Sequence, residues 1–199
     1  AGERRWQAAQ KRMESANLDG LLITEKTNYI YFCGGNPDFS FSRPTTFLLP
    51  RSGDPVCIVH KFFKDLTTRS TYVDDIRVFQ AFGGAPVDTI VQTMKEIGLG
   101  PGKIGCELGY EQRLGISRED LQSIANAMPA ADFQDGSSVI WGCRMIKSPA
   151  EIERLREAGR ITGRVYESLF PSVQPGMTES EIVNDFIRLH AEQGGGNPW

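Results

Sequence analysis

The chain has 199 residues, with 40% hydrophobic and 24% charged side chains, ordinary globular values that leave material for a sizeable core. A net charge of −3 and a pI near 5.5 give no electrostatic footprint for nucleic acid or an anionic membrane surface. No apolar run approaches the roughly 20 residues of a membrane span, and no apolar signal-peptide core is visible. Cys33, Cys57, Cys106 and Cys143 lack Cys-x-x-Cys spacing and read as small buried hydrophobes of a reduced, cytoplasmic protein.

In chain order, residues 3–17 predict an amphipathic helix with Trp6, Ala9, Met13 and Ala16 on one face, and with Arg4, Arg5, Lys11 and Arg12 solvated. Leu21 to Thr24 is a short, continuously apolar strand of the kind covered on both sheet faces. Thr27 to Cys33 predicts a short helix stopped by Gly34-Gly35-Asn36-Pro37. Thr45 to Leu49 and Val56 to Val59 form a hairpin across the turn at 50–54, and residues 61–70 suggest a short helix. Ile76 to Gln80 alternates as a strand, and Pro86 to Ile97 is a helix facing inward with Val87, Ile90, Val91, Met94 and Ile97. A strand at Lys103 to Glu107, a helix capped by Ser117, a strand at Ala131 to Phe133 and a helix from Asp135 to Cys143 follow. Strands alternating with helices, plus one hairpin, argue for an α/β domain with a mixed sheet flanked by helices over residues 1–145. The glycine pairs and turns are not phosphate loops, for none has Gly-x-Gly-x-x-Gly between strand and helix or a Gly-Lys-Ser/Thr ending.

A second segment, 146–199, opens at Ser148. Ser148 with Glu151 is a capping box and Pro149 suits the first helical position. Ile152, Leu155, Ala158, Thr162, Val165 and Leu169 then recur at helical spacing, so one stripe should be buried. Thr178 with Glu181 is another capping box, opening a helix with Ile182, Val183, Phe186, Ile187 and Leu189 inward. Two such helices cannot cover each other's stripes completely, so these are expected to pack on something more.

Lys-Ser-Pro-x-Glu-Ile-x-x-Leu-Arg-x-Ala at 147–158, placed after a complete α/β domain, resembles the domain junction of the creatinase/prolidase/aminopeptidase P family. Pro175-Gly-Met-Thr-Glu-Ser-Glu-Ile182 resembles the start of the next catalytic-domain helix in that family. The resemblance implies an N-terminal domain followed by the first two helices of a "pita-bread" metallohydrolase domain. It implies a homodimer acting on small peptide or small-molecule carboxylate substrates, most often removing the residue before proline as an aminopeptidase or dipeptidase. Divalent metal ions (Mn, Co or Zn) would be held by two aspartates, a histidine and two glutamates, none of which can be matched in this chain. Creatine hydrolysis and a non-enzymatic scaffold on the same architecture are the alternatives.

The residues themselves agree that this stretch should not catalyse alone. A hydrolytic metal site needs at least three convergent ligands, and the only histidines, His60 and His190, lie far apart in sequence. His60, ending a strand, suits a structural hydrogen bond, and His190, near a helix end, suits the helix dipole. No serine or cysteine stands in a nucleophile motif. The one candidate site is substrate-binding, at Phe41 and Arg43. Extended, the two side chains point to the same side, and arginine's planar fork suits a carboxylate. In creatinase-like members an equivalent Phe-x-Arg reaches from one subunit into the active site of the other. The resemblance therefore implies Arg43 as a carboxylate clamp and Phe41 as an apolar wall. The alternatives are that Phe41 packs on the sheet, that Arg43 is a solvated loop residue, or that Asp38 pairs with Arg43.

Overall fold

A computed structural model describes residues 2–35 and 43–196. They fall into two compact units, Ala1–Met145 and Ile146–Trp199.

The first unit is built on six strands: β1 (Gly20–Ile23), β2 (Thr46–Pro50), β3 (Val56–His60), β4 (Asp75–Phe79), β5 (Lys103–Cys106) and β6 (Asp132–Asp135). They lie in the order β4-β3-β2-β1-β5-β6. The pairs β1–β2 and β2–β3 are antiparallel, while β3–β4, β1–β5 and β5–β6 are parallel. Five strands therefore run one way and only β2 runs against them. The carboxyl ends of β1, β3, β4, β5 and β6 and the entry to β2 consequently share one edge of the sheet.

Side chains alternate across the strands and feed two cores. Leu21, Ile23, Phe47, Leu49 and Cys57 face one side and pack with Ala9, Met13, Phe32, Val139 and Ile140. Those partners come from helices α1 (Gly2–Ala16), α2 (Lys26–Cys33) and α6 (Ser137–Arg144). Leu22, Leu48, Ile58, Ile104 and Cys106 face the other side and pack with Ile90, Met94 and Ile124. These belong to α4 (Val87–Glu96) and α5 (Arg118–Ala127). Both faces of the central strands are thus covered, which is why Leu21 to Ile23 carries no polar alternation. The expected mixed α/β sandwich is present. All four cysteines are buried and unpaired, and the thiols of Cys33 and Cys57 approach to 3.4 Å.

Between β3 and β4 the chain makes a 3-10 turn at Lys61–Phe63 before α3 (Lys64–Ser70), so the predicted single helix over 61–70 is tightened at its start. Gly34 ends α2 at a φ of 91°, a conformation that a side chain would strain. Two of the basic residues expected to be solvated on α1 are not. Arg5 donates to the Tyr31 carbonyl at 2.6 Å with its guanidinium 4.2 Å from the Tyr31 ring, and Arg12 is half-buried against Gly142. Their long apolar stems let α1 pack closely on α2 and α6, and the Arg5 head meets the carbonyl and ring of Tyr31.

The second unit holds α7 (Pro149–Leu169) and α8 (Glu179–Glu192), each opened by the predicted capping box. Val165 and Leu169 are buried, and Tyr166 lies 5.5 Å from Phe186 of α8. The rest of the α7 stripe departs from expectation: Leu155 is 59% exposed and Ile152 is exposed as well. One neighbouring helix can cover only part of a 21-residue helix, and Ile152 and Leu155 lie on the part left exposed. Among the described residues no helix is long and apolar enough to cross a membrane.

Candidate substrate-binding site

The shared carboxyl edge of the sheet collects the polar and aromatic side chains of interest, as expected of open sheets in which strand ends gather at one crevice. Arg43 sits three residues before β2, His60 and Phe79 end β3 and β4, Thr24 follows β1, and Glu107 follows β5. The edge has two chemically different ends.

At the β3–β4 end the parallel register pairs His60 with Phe79. His60 is fully buried; its Nδ1 accepts from the Phe62 N–H at 3.3 Å, and its Nε2 lies 3.2 Å from the Gln80 carbonyl. Those partners fit the tautomer with the proton on Nε2, donated to Gln80. The structural role expected for His60 is what this geometry provides. Its ring also touches Phe62, Phe79 and Phe82, at centroid distances of 4.7, 5.2 and 4.8 Å. Arg43 is half-buried beside this cluster, its guanidinium carbon 5.7 Å from the Phe63 ring and 5.9 Å from the Phe82 ring. Phe41 and Asp38 lie outside the described residues, so Arg43 is the part of the predicted pair that has a described position.

At the β1–β5 end stands a residue that the sequence reading did not single out. Glu107 is buried, and its carboxylate accepts from the Thr24 N–H at 2.8 Å, the Thr24 hydroxyl at 3.0 Å, the Glu25 N–H at 2.9 Å and the Asn28 amide at 2.7 Å. Asn28 also donates to Gln112 at 3.0 Å and accepts from Arg144. Burial pushes the Glu107 carboxyl above its ordinary range, and the hydrogen bonds from Thr24, Asn28 and Glu25 pull it part of the way back. Gly115 completes the set, its N–H donating to the Thr24 hydroxyl at 2.9 Å. Beside the network opens a polar cleft of about 310 Å³ lined by Glu25, Asn28, Gln112, Arg113, Trp141 and Arg144. The available signal was a carboxylate at the end of the expected strand Lys103 to Glu107, next to the apolar Ile104 and Cys106.

His190 lies in the second unit, its Nδ1 2.9 Å from the Gly196 carbonyl and its ring stacked 5.8 Å from Phe186. Among the described residues, no group of three or more His, Cys, Asp or Glu side chains is placed to hold a metal ion.

Comparison with known proteins points in one direction. The family described as Creatinase/Prolidase N-terminal domain matches residues 5–146. The Ectoine hydrolase of Halomonas elongata is 27% identical over 188 residues, covering 90% of this chain and 46% of the relative. Among solved structures, a recombinant prolidase from Thermococcus sibiricus superposes with a TM-score of 0.83 at 18% identity, covering 99% of this chain and 51% of that one. The Xaa-Pro dipeptidase from Bacillus anthracis gives a TM-score of 0.77 at 20% identity, covering 97% and 50%. At such identities the two structures speak for the fold. The chain spans about half the length of the curated relatives it matches.

Proposed function

The chain belongs to the creatinase/prolidase N-terminal domain family, and from that premise we propose that it is the substrate-shaping part of a longer, metal-dependent hydrolase that cleaves Xaa-Pro peptides as an aminopeptidase or dipeptidase. In this reading residues 1–145 are the N-terminal domain and 146–199 begin the catalytic one. The metal would be held by residues outside the described set, where it would polarise the scissile carbonyl and supply a hydroxide nucleophile. This chain contributes no catalytic residue. It contributes Arg43, presented at the sheet edge to the active site of a second copy in a homodimer, where the guanidinium pairs with the substrate carboxylate. Phe41 serves as an apolar neighbour. A cytoplasmic location accords with four reduced, buried cysteines.

The observation that carries the reading is the placement of Arg43 at the entry to β2, half-buried between aromatic rings rather than extended into solvent. A guanidinium held in this way has lost much of its rotational freedom before it meets a carboxylate. The test is Arg43→Ala in the full-length enzyme with dipeptide substrates. A Michaelis constant raised about tenfold or more is expected when one charge-assisted pair is removed. Unchanged kinetics would remove the clamp, and absence of chelator-sensitive Xaa-Pro turnover would remove the activity.

A second reading is favoured by the similarity to a relative named Ectoine hydrolase. Here the longer protein hydrolyses a small non-peptide compound, as in the creatine-cleaving branch. Arg43 keeps its role, and the discriminating measurement is turnover of Xaa-Pro dipeptides against creatine and ectoine. A non-enzymatic scaffold would turn over none of them.

A further inference from the structure

Exposed aromatic rings held rigidly beside a cation are unusual on a protein surface, and the β3–β4 end of the sheet carries two. Phe62 and Phe82 are each 61% exposed, while Phe79 of the same cluster is 5% exposed. Their positions follow from the topology. The strands β3 and β4 are parallel and in register at His60 and Phe79, so their exits emerge side by side. Phe62 stands two residues beyond one exit and Phe82 three residues beyond the other, and their ring centroids lie 6.0 Å apart. The His60 ring lies behind both and is tied by hydrogen bonds to the backbone of both exits, at Phe62 and at Gln80. A buried imidazole fastened at both nitrogens is a stiff support, and the rings resting on it are pre-ordered although they face solvent.

Two cations border the rings. Arg43 lies 5.9 Å from Phe82, and the Lys61 ammonium lies 5.8 Å from Phe62 while reaching Gln80 Oε1 at 3.3 Å. An apolar wall beside a guanidinium matches a ligand that carries a carboxylate next to an apolar ring. The guanidinium takes the charge, and the phenyl faces take the ring.

Resting on the reading of Arg43 given above, we propose that Phe62 and Phe82 determine specificity in the same substrate-binding surface, selecting substrates whose carboxylate is borne by an apolar ring, such as a carboxyl-terminal prolyl residue, over those with a small terminal residue. The selection acts on binding, so it appears in the Michaelis constant and leaves the chemical step alone.

The experiment compares Ala-Pro and Ala-Gly as substrates of the full-length enzyme and of its Phe82→Ala, Phe62→Ala, Phe82→Leu and Arg43→Ala variants, with molecular mass in solution measured alongside. The expected result is a KM for Ala-Pro raised about tenfold by Phe82→Ala, in the range one lost apolar contact supplies. Ala-Gly should change less than about twofold, kcat should hold, and Phe82→Leu should restore part of the preference. Arg43→Ala should instead raise KM for both substrates. A Pro-to-Gly preference unchanged in both alanine variants overturns the wall while leaving the Arg43 clamp standing if Arg43→Ala still acts. A fall to half the molecular mass in the Phe variants also overturns it, showing the rings to be a subunit contact. Wild-type protein that turns over neither dipeptide overturns the wall and the peptidase reading together.

Discussion

The two ends of one sheet edge hold their charged residues in opposite ways. At the β1–β5 end, Glu107 is buried and accepts four hydrogen bonds, three of them from Thr24 and Glu25 and the fourth from Asn28. At the β3–β4 end, Arg43 is half-buried beside aromatic rings that remain largely exposed. A buried carboxylate that ties Thr24, Glu25 and Asn28 to the exit of β5 holds the α2 entry in place. Exposed rings on a rigid support leave apolar surface uncovered, which folding alone does not favour. The difference separates a structural charge from a candidate binding charge, and it can be tested by measuring what each end contributes to stability.

The largest effect is expected from Glu107→Ala. It leaves the Thr24 and Glu25 N–H groups and one hydrogen of the Asn28 amide without their acceptor, and unsatisfied buried donors cost about 1–3 kcal/mol each. A loss of about 3 kcal/mol or more in urea denaturation is the expected outcome. A loss below about 1 kcal/mol would show that water reaches these donors and that the end is not closed. Close behind comes Gly115→Ala. A Cβ there would stand 1.9 Å from the Thr24 carbonyl oxygen, which is backbone and cannot rotate away. The segment must shift and give up its bond to the Thr24 hydroxyl, at a cost of about 2–3 kcal/mol. If Gly115→Ala and Glu107→Ala are combined, their costs should fall short of additivity because both disturb Thr24.

The sequence made the fold legible where periodicity and capping speak locally. Ser148 with Glu151 and Thr178 with Glu181 each open a helix as expected, and Leu21 to Ile23 lies in the middle of the sheet because nothing in it is polar. What periodicity could not supply is which strand ends meet. That His60 and Phe79 stand side by side is a matter of β3–β4 register, and so the aromatic cluster around Arg43 was invisible in a linear reading of Phe62, Phe63, Phe79 and Phe82. Glu107 was missed for a related reason. Its donors are about 80 residues away in Thr24, Glu25 and Asn28, joined to it only because β1 and β5 are neighbours. The α7 stripe was read correctly as apolar, yet burial depends on a partner surface, and Val165 and Leu169 are buried while Leu155 is not.

The pH dependence of the Glu107 end sharpens the contrast further. Because burial outweighs the donors, the native carboxyl binds its proton more readily than the unfolded one. Between the ordinary carboxylate range and that raised native value, the folded state carries more protons than the unfolded state. Stability from this group is therefore greatest in acid and declines as pH rises through the window. Compared with Glu107→Gln, which cannot titrate, wild type should lose relative stability as pH rises above the ordinary carboxylate range, by about 1.4 kcal/mol for each unit by which the native group is displaced. A wild-type advantage that grows with pH would mean that the four donors prevail and the carboxylate is held charged.

The smallest effects on stability should come from the opposite end. Phe82→Ala removes a ring that is 61% exposed, so the loss should stay below about 1 kcal/mol, and Arg43→Ala should fall in the same range. Phe79→Ala is the internal control. That ring touches the same His60 but is 5% exposed, and its removal should cost about 3 kcal/mol or more. A Phe82→Ala loss as large as the Phe79→Ala loss would make Phe82 a piece of the core, and the two ends of the edge would then be held by the same means. A small loss would leave the folded state with little use for the Phe82 ring, and its fixed position beside Arg43 would have to be explained by what binds there.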